Sequence, residues 1–287
     1  MGNPRTEFVP LVDRPKLVLP EGARVAVMLV VNVEQQEYDQ PVGRPLSPQP
    51  VGRERLPDVP NFSWFEYGLR IGFWRMLAAT QRLSLPVTMA LNGSVCDQYP
   101  RVVEAGVSAA WDVVGHGYHQ RPLSFESDER AAIRKTLDTI ESFTGSRPIG
   151  WLGPGLVETE RTPELLVEER VKFVLDWVND DQPYELKVAT GELLSIPYSN
   201  ELNDIGVYIR LGHPGPSMLE RVRDHLHTLM TEEPETARVM PIAVHPYVLG
   251  QAHRFPYFLK MLELITNTPG VIPMTATDIY RWYRAIG

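Results

Sequence analysis

The sequence predicts an α/β fold, a distorted (β/α) barrel of seven or eight parallel strands, and three observations carry that expectation. Apolar, β-branched runs of strand length alternate with amphipathic segments of helix length about seven or eight times along the 287 residues. The first run, residues 24–33, is continuous in apolar, β-branched character, as a strand covered on both faces requires. No glycine-rich phosphate loop follows the first run, which argues against a dinucleotide-binding sheet.

Residues 24–33, RVAVMLVVNV, form the first strand. Residues 63–83 repeat Phe65, Leu69, Phe73, Trp74 and Leu77 at helical spacing. PVTMAL (86–91) is the second strand, 99–110 a helix and WDVVG (111–115) the third strand. Residues 127–143 form an amphipathic helix with Ser127 as N-cap, acids in the first turn and Gly145 as its stop. IGWLG (149–153) is a strand, and 162–170 a short helix capped by Thr162 with Pro163 at its first position. VKFVLDWV (171–178) and LLSIPY (193–198) are strands, and Ser217 and Glu220 form a capping box that opens a helix over 217–230. VMPIAVHP (239–246) is strand, 256–266 helix, VIPMT (271–275) strand and 277–286 a closing helix. One domain over 1–287 is expected, with an N-terminal extension (1–22) and a Pro-rich loop (41–60) that proline keeps out of helix and central strand. A loop of that length inside a compact domain is usually functional or a subunit contact.

Composition narrows the function. A formal net charge of -8 and the lack of a basic patch make nucleic acid and anionic membrane poor partners. The single cysteine, Cys96, allows no intramolecular disulfide and no cysteine-rich metal site, and reads as a buried thiol. The N-terminal stretch lacks an apolar segment of signal-peptide type, so a cytoplasmic protein is expected.

In (β/α) barrels the active site gathers at the carboxyl ends of the strands. Here the first strand ends at Asn32 and Glu34, the second at Asn92 and the third at His116, within VVGHGYHQ (113–120), which also supplies Tyr118, His119 and Gln120. Later strands end at Trp151, at Asn179, Asp180 and Asp181, at Tyr198, Asn200 and Asp204, and at His245 within AVHPY. One buried histidine bonded to backbone would be ordinary. Two at equivalent strand ends, beside a carboxylate that closes a buried strand, point to a site. His213, His225 and His227 lack this placement.

Taken in order, VVNVEQQ, SWFEYGLRIGFWRM, LPVTMALNGSV, VVGHGY, RPIGWLGPG, NDDQPY, IPYSNELND and HPYVLGQAHR resemble the NodB-like polysaccharide deacetylase superfamily. Within it they look most like the branch of cofactor-independent allantoinases and cyclic imide hydrolases. The resemblance covers most of the chain and implies a distorted (β/α) barrel that hydrolyses an amide-type C–N bond. In the metal-dependent deacetylases one Asp is the base, a second Asp and two His four residues apart hold a divalent metal, and a later His is the acid. The base Asp falls on Asn32, the metal Asp on Glu34, the two His on His116 and Gln120, and the late His on His245.

The resemblance therefore implies Glu34, His116 and His245 as the catalytic residues, with Glu34 the general base and His245 the acid, and His116 orienting water or the substrate carbonyl. A metal, if bound, would be held by Glu34, His116 and Gln120, but a glutamine oxygen is a weaker ligand for zinc than imidazole. His119 lies three residues from His116, not four. The expectation is no required cofactor, with weakly bound zinc or another divalent metal as the alternative. Asn32, Asn92, Tyr118, Trp151, Asp180, Tyr198, Asn200 and Asp204 are the expected substrate-binding residues, with backbone N–H groups over 151–155 as oxyanion donors. The implied reaction opens the ring of a cyclic imide, amide or ureide such as allantoin. A metal-dependent N-deacetylase of an amino sugar and a non-catalytic barrel binding a small ligand are the alternatives. The expected partners are a small-molecule substrate and further copies of the chain, as a homo-oligomer and possibly a tetramer.

Overall fold

The computed structural model describes residues 2–42, 45 and 56–286. Most of the Pro-rich loop expected over 41–60 lies outside the described residues. Among them, nine strands form one sheet: β1 (Val25–Val33), β2 (Thr88–Leu91), β3 (Asp112–Gly115), β4 (Gly150–Trp151), β5 (Phe173–Val174), β6 (Tyr184–Leu186), β7 (Leu193–Ser195), β8 (Arg238–Val244) and β9 (Val271–Pro273). Their order is β6-β7-β5-β4-β3-β2-β1-β8. Strand β9 also pairs with β1, over Val25–Val27, while β2 takes Val30–Val33. All pairings are parallel except β6 with β7. The sheet curls toward closure where the Ala243 N–H of β8 donates to Leu202 O at 2.9 Å and Val239 N–H to Asp181 O at 2.8 Å. The result is a mostly parallel half-barrel ringed by helices, the distorted (β/α) barrel that the alternation predicts.

Side-chain parity along β1 shows how the barrel is filled. Val25, Val27, Leu29, Val31 and Val33 face outward into the core under the helices. Ala26, Met28 and Val30 face the barrel interior, with Ala90 and Val114 from the neighbouring strands. All nine residues of β1 are buried, which is why the run carries no alternation of polarity. The period of two then carries the interior series beyond Val30 to Asn32 and Glu34 at the barrel's carboxyl end.

The helices are α1 (Val59–Tyr67), α2 (Phe73–Arg82), α3 (Gly93–Gln98), α4 (Pro100–Ser108), α5 (Glu129–Thr144), α6 (Thr162–Glu168), α7 (Ser217–Thr231), α8 (Phe255–Asn267) and α9 (Ala276–Ile286). Several boundaries differ from the sequence reading for local reasons. The helix expected over 63–83 starts four residues earlier, at Val59. Asp58 caps it, its carboxylate accepting the Asn61 N–H at 3.3 Å, and Pro60 sits in the first turn, where no intrahelical N–H is needed. A π turn over Gly68–Gly72 separates α1 from α2. Asp128, not Ser127, caps α5, accepting the Ala131 N–H at 3.0 Å, while Gly145 ends the helix in the left-handed region as expected. Thr162 lies inside α6 and turns its hydroxyl to Glu129 instead of capping. The Ser217 side chain makes no capping bond either.

The π turn packs directly behind the site. A Cβ on Gly72 would lie 1.9 Å from Pro246 O, and one on Gly250 would lie 2.1 Å from the same atom. Backbone cannot yield as a side-chain tip can, so Gly72→Ala is expected to destabilise the protein by about 1–3 kcal/mol. Thermal unfolding should register this as a loss of roughly 3–9 °C in Tm. A Tm within a degree of wild type would show that the backbone after His245 moves freely.

Candidate active site

Four strands deliver the site by the same parity. Glu34 continues the interior series of β1, His116 follows Val114 of β3, Tyr198 follows Leu194 and Ile196 beyond β7, and His245 follows Val239 and Ala243 of β8. Together they line a cavity of about 200 Å³ at the barrel mouth.

Glu34 is the hub. Its carboxylate is 4% exposed. Oε1 accepts the Gln120 amide N–H at 2.8 Å and lies 3.4 Å from Nε2 of both His116 and His245. Oε2 accepts the Tyr247 hydroxyl at 2.6 Å. Burial by itself disfavours the anion, but the charge of His245 and the hydrogen-bond donors around the carboxylate hold it well below the usual range.

His245 lies between two carboxylates. Its Nδ1–H donates to Asp204 Oδ1 at 2.6 Å, and its own backbone N–H and that of Leu249 donate to Asp204 Oδ2 at 2.8 and 3.2 Å. Burial opposes a charged ring, but Asp204 and then Glu34 outweigh it and push the imidazole up to about 10. At neutral pH His245 is an imidazolium that presents Nε2–H to the cavity.

His116 is oriented differently. Its Nδ1 lies 2.6 Å from Leu152 O, a pure acceptor, so Nδ1 carries the proton. In the neutral ring Nε2 is then a lone pair facing the cavity beside Glu34. A water seated between His116 Nε2 and Glu34 Oε1 would direct one O–H at each and turn its lone pairs outward.

Gln120 is also held in one orientation. The Gln35 N–H donates to Asn92 Oδ1 at 2.9 Å, so the Asn92 amide must point its NH2 the other way, toward Gln120 Oε1 at 3.3 Å. Gln120 therefore presents N–H, not oxygen, to Glu34. This donor set does not fit a divalent metal: the third expected ligand donates, and His245 is protonated. Among the described residues no group of three or more His, Cys, Asp or Glu is arranged to hold a metal ion.

The other expected residues divide. Asn32, Tyr198 and Asn200 line the cavity, with Asn32 Nδ2 3.3 Å from the Tyr198 hydroxyl. Burial keeps that phenol neutral by raising its pKa strongly. Asp204 sits behind His245, fully buried and bonded to it, so it serves the ring and does not reach a substrate. Asn92 is likewise behind the wall, tying Gln35 to the His116–Gln120 segment. Trp151 is fully buried against Ile133, Leu137 and Leu165 on the outer face, because parity turns its neighbour Leu152 inward instead. The Tyr118 hydroxyl donates to Asp97 at 2.7 Å, away from the cavity. Asp180 is paired with Arg14 of the N-terminal extension at 2.6 Å and lines a separate surface pocket. His119 sits beside Gln35 and Glu37. Cys96 is buried, and burial pushes its thiol up to about 12, so it is no nucleophile.

The expected oxyanion donors also narrow. Gly153 N–H is taken by Asp176 Oδ1 at 2.6 Å, and Leu152 N–H by Gly115 O at 2.9 Å. Gly155 lines the cavity, its φ of 69° places it in the left-handed region, and its N–H has no partner among the described residues. Sequence reasoning missed Gln36, Phe65, Asn203, Arg210 and Tyr247, all of which line the cavity. Only Tyr247 carried a signal, lying two residues beyond His245 on the same loop. The others reach the mouth through loop paths that no periodicity encodes.

Comparison with known proteins agrees with this architecture. No family model matches the chain. A protein of Schizosaccharomyces pombe (strain 972), named "Putative polysaccharide deacetylase", is 28% identical over 93% of this chain and 92% of its own length. The crystal structure of a Puue allantoinase superposes with a TM-score of 0.89 at 24% identity, covering 99% of this chain and 98% of that one. A "probable Polysaccharide deacetylase" from Pseudomonas aeruginosa PAO1 superposes at 0.85 with 23% identity over 95% of each chain. These relatives are named as deacetylases or as an allantoinase. The chain is similar to these proteins over nearly its whole length and shares the fold of the two solved structures.

Proposed function

We propose that the chain opens the ring of a cyclic imide, amide or ureide by hydrolysis, with no metal taking part. The observation that carries this reading is the set of donors on Glu34. Glu34, the carboxylate that would ligate a metal, instead accepts Gln120 N–H and Tyr247 O–H and faces the imidazolium of His245. That is an acid–base pair, not a coordination sphere.

In this reading Glu34 Oε1 and His116 Nε2 orient a water. Its oxygen attacks a ring carbonyl carbon as Glu34 takes the proton, and Gly155 N–H meets the developing oxyanion. The tetrahedral intermediate then breaks its C–N bond. The electron pair leaves on nitrogen, which takes the proton of His245 Nε2 while Asp204 keeps the ring in place. Proton return from Glu34 to His245 resets the site, and one water has been added across the bond. An imide suits such a site, because its second carbonyl lowers the basicity of the leaving nitrogen and reduces the need for a Lewis acid. The cavity also favours one small ring: about 200 Å³ is below the roughly 300–1,000 Å³ typical of sites for drug-sized ligands.

The test is turnover of a panel of imides, hydantoins and ureides, with acetylated amino sugars, before and after treatment with a chelator, together with elemental analysis. Ring opening that survives chelation is expected. Activity confined to acetylated sugars and lost with the metal would replace this reading with a metal-dependent deacetylase; the name of the Schizosaccharomyces pombe relative carries the word deacetylase.

A further inference from the structure

The wall of the cavity away from Glu34 carries an element that the hydrolytic chemistry does not use. Arg210 closes the π turn Ile205–Arg210, which begins directly after Asp204. Arg210 is exposed and lines the cavity, and it is the one Arg or Lys among the described lining residues. No hydrogen bond or ion pair engages it among the described residues. Exposed arginines such as Arg223 and Arg281 also lack an ion pair among the described residues, but they do not line the cavity; Arg5, Arg14, Arg147 and Arg284 each pair with a carboxylate. The side-chain amide of Asn200, also on this wall, has no partner there either.

The floor has the opposite character. Two carboxylates, Glu34 and Asp204, flank a single imidazolium. The pocket therefore has an excess of negative charge at the reacting end and, among the described residues, an unpaired cation at the mouth. A ring bearing an anion can enter in only one sense, with its anion at the rim and its neutral carbonyl at the floor.

We propose that Arg210 is a specificity-determining residue whose guanidinium binds a carboxylate carried on the substrate ring, so that the preferred substrates are anionic cyclic imides or ureides. This rests on the ring-opening reading and narrows it. A guanidinium meets a carboxylate through two parallel N–H bonds, a geometry that lysine cannot reproduce. Asn200 lines the same cavity and supplies a further amide N–H for the carboxylate.

The experiment compares hydantoin with hydantoin-5-acetate in wild type, Arg210→Ala, Arg210→Lys and Arg210→Glu. The ratio of kcat/KM, charged over neutral, should exceed one in wild type by about tenfold or more. It should fall about tenfold in Arg210→Ala, mostly through KM, recover in part in Arg210→Lys, and invert in Arg210→Glu. A wild-type ratio near one, or a ratio that Arg210→Ala leaves unchanged, overturns the inference while turnover of both rings keeps the hydrolytic reading. If neither ring is opened, the hydrolytic reading fails for these rings, and calorimetric binding of the same pair decides the subsite. Tighter binding of the acetate, lost in Arg210→Ala, upholds it; equal or absent binding overturns it.

Discussion

Glu34→Gln is expected to lower kcat/KM for ring opening on the order of 10³-fold. The substitution keeps the shape of the side chain and removes the base. It also removes one of the two counter-charges of His245, whose raised pKa depends first on Asp204 and next on Glu34. The acid is therefore weakened as the base is lost, and the two losses fall on one residue. Glu34→Asp separates them: the charge stays, but the carboxylate withdraws by about one C–C bond from the point where the water sits. Its activity should lie between wild type and Glu34→Gln, with the pH profile of His245 largely kept. Steady-state kinetics on the best ring substrate, with circular dichroism as a control for folding, checks both. Activity of Glu34→Gln within tenfold of wild type would remove Glu34 from the role of base and leave His116 Nε2 as the group facing the water.

The fold was legible in the sequence because barrel strands buried on both faces produce continuous apolar runs, and β1 is such a run from end to end. The candidate site was legible for a related reason. Parity along a strand carries over into the residue that follows it, so Glu34, His116 and His245 emerge together. The same rule misplaces Trp151, since a two-residue strand such as β4 gives no reading of which face its last residue takes. Asp180 looked like a strand end, but its charge is spent on Arg14, a contact between segments 166 residues apart that no local pattern encodes. Antiparallel β6 escaped because Tyr184–Leu186 is too short and too mixed in polarity to stand out. The orientation of Gln120 depends on a chain of bonds through Asn92 to the Gln35 N–H, and only coordinates show that it donates.

Asp204→Asn is expected to cost about 10²–10⁴-fold in kcat and to shift the alkaline limb of the pH profile downward. Asp204 accepts three N–H groups, from His245 Nδ1, His245 N and Leu249 N. An asparagine has one acceptor oxygen and must set an N–H against at least one of these donors. Wild type should be active across neutral pH, because Glu34 is already ionised well below it and His245 keeps its proton until about 10. In the variant the imidazolium has only Glu34 as counter-charge, so its pKa falls and activity is lost at lower pH. Stability follows the same group with a definite sign. A histidine raised from 6.5 to about 10 on folding contributes fully below 6.5, and the contribution is lost as pH rises through about 10. Wild-type Tm should therefore decline over that window, and the decline should shrink in Asp204→Asn. Rate and Tm profiles measured on the same samples distinguish an acid from a packing histidine: an acid moves both limbs together, whereas a histidine that only packs would move the Tm profile and leave the alkaline limb of the rate where it was.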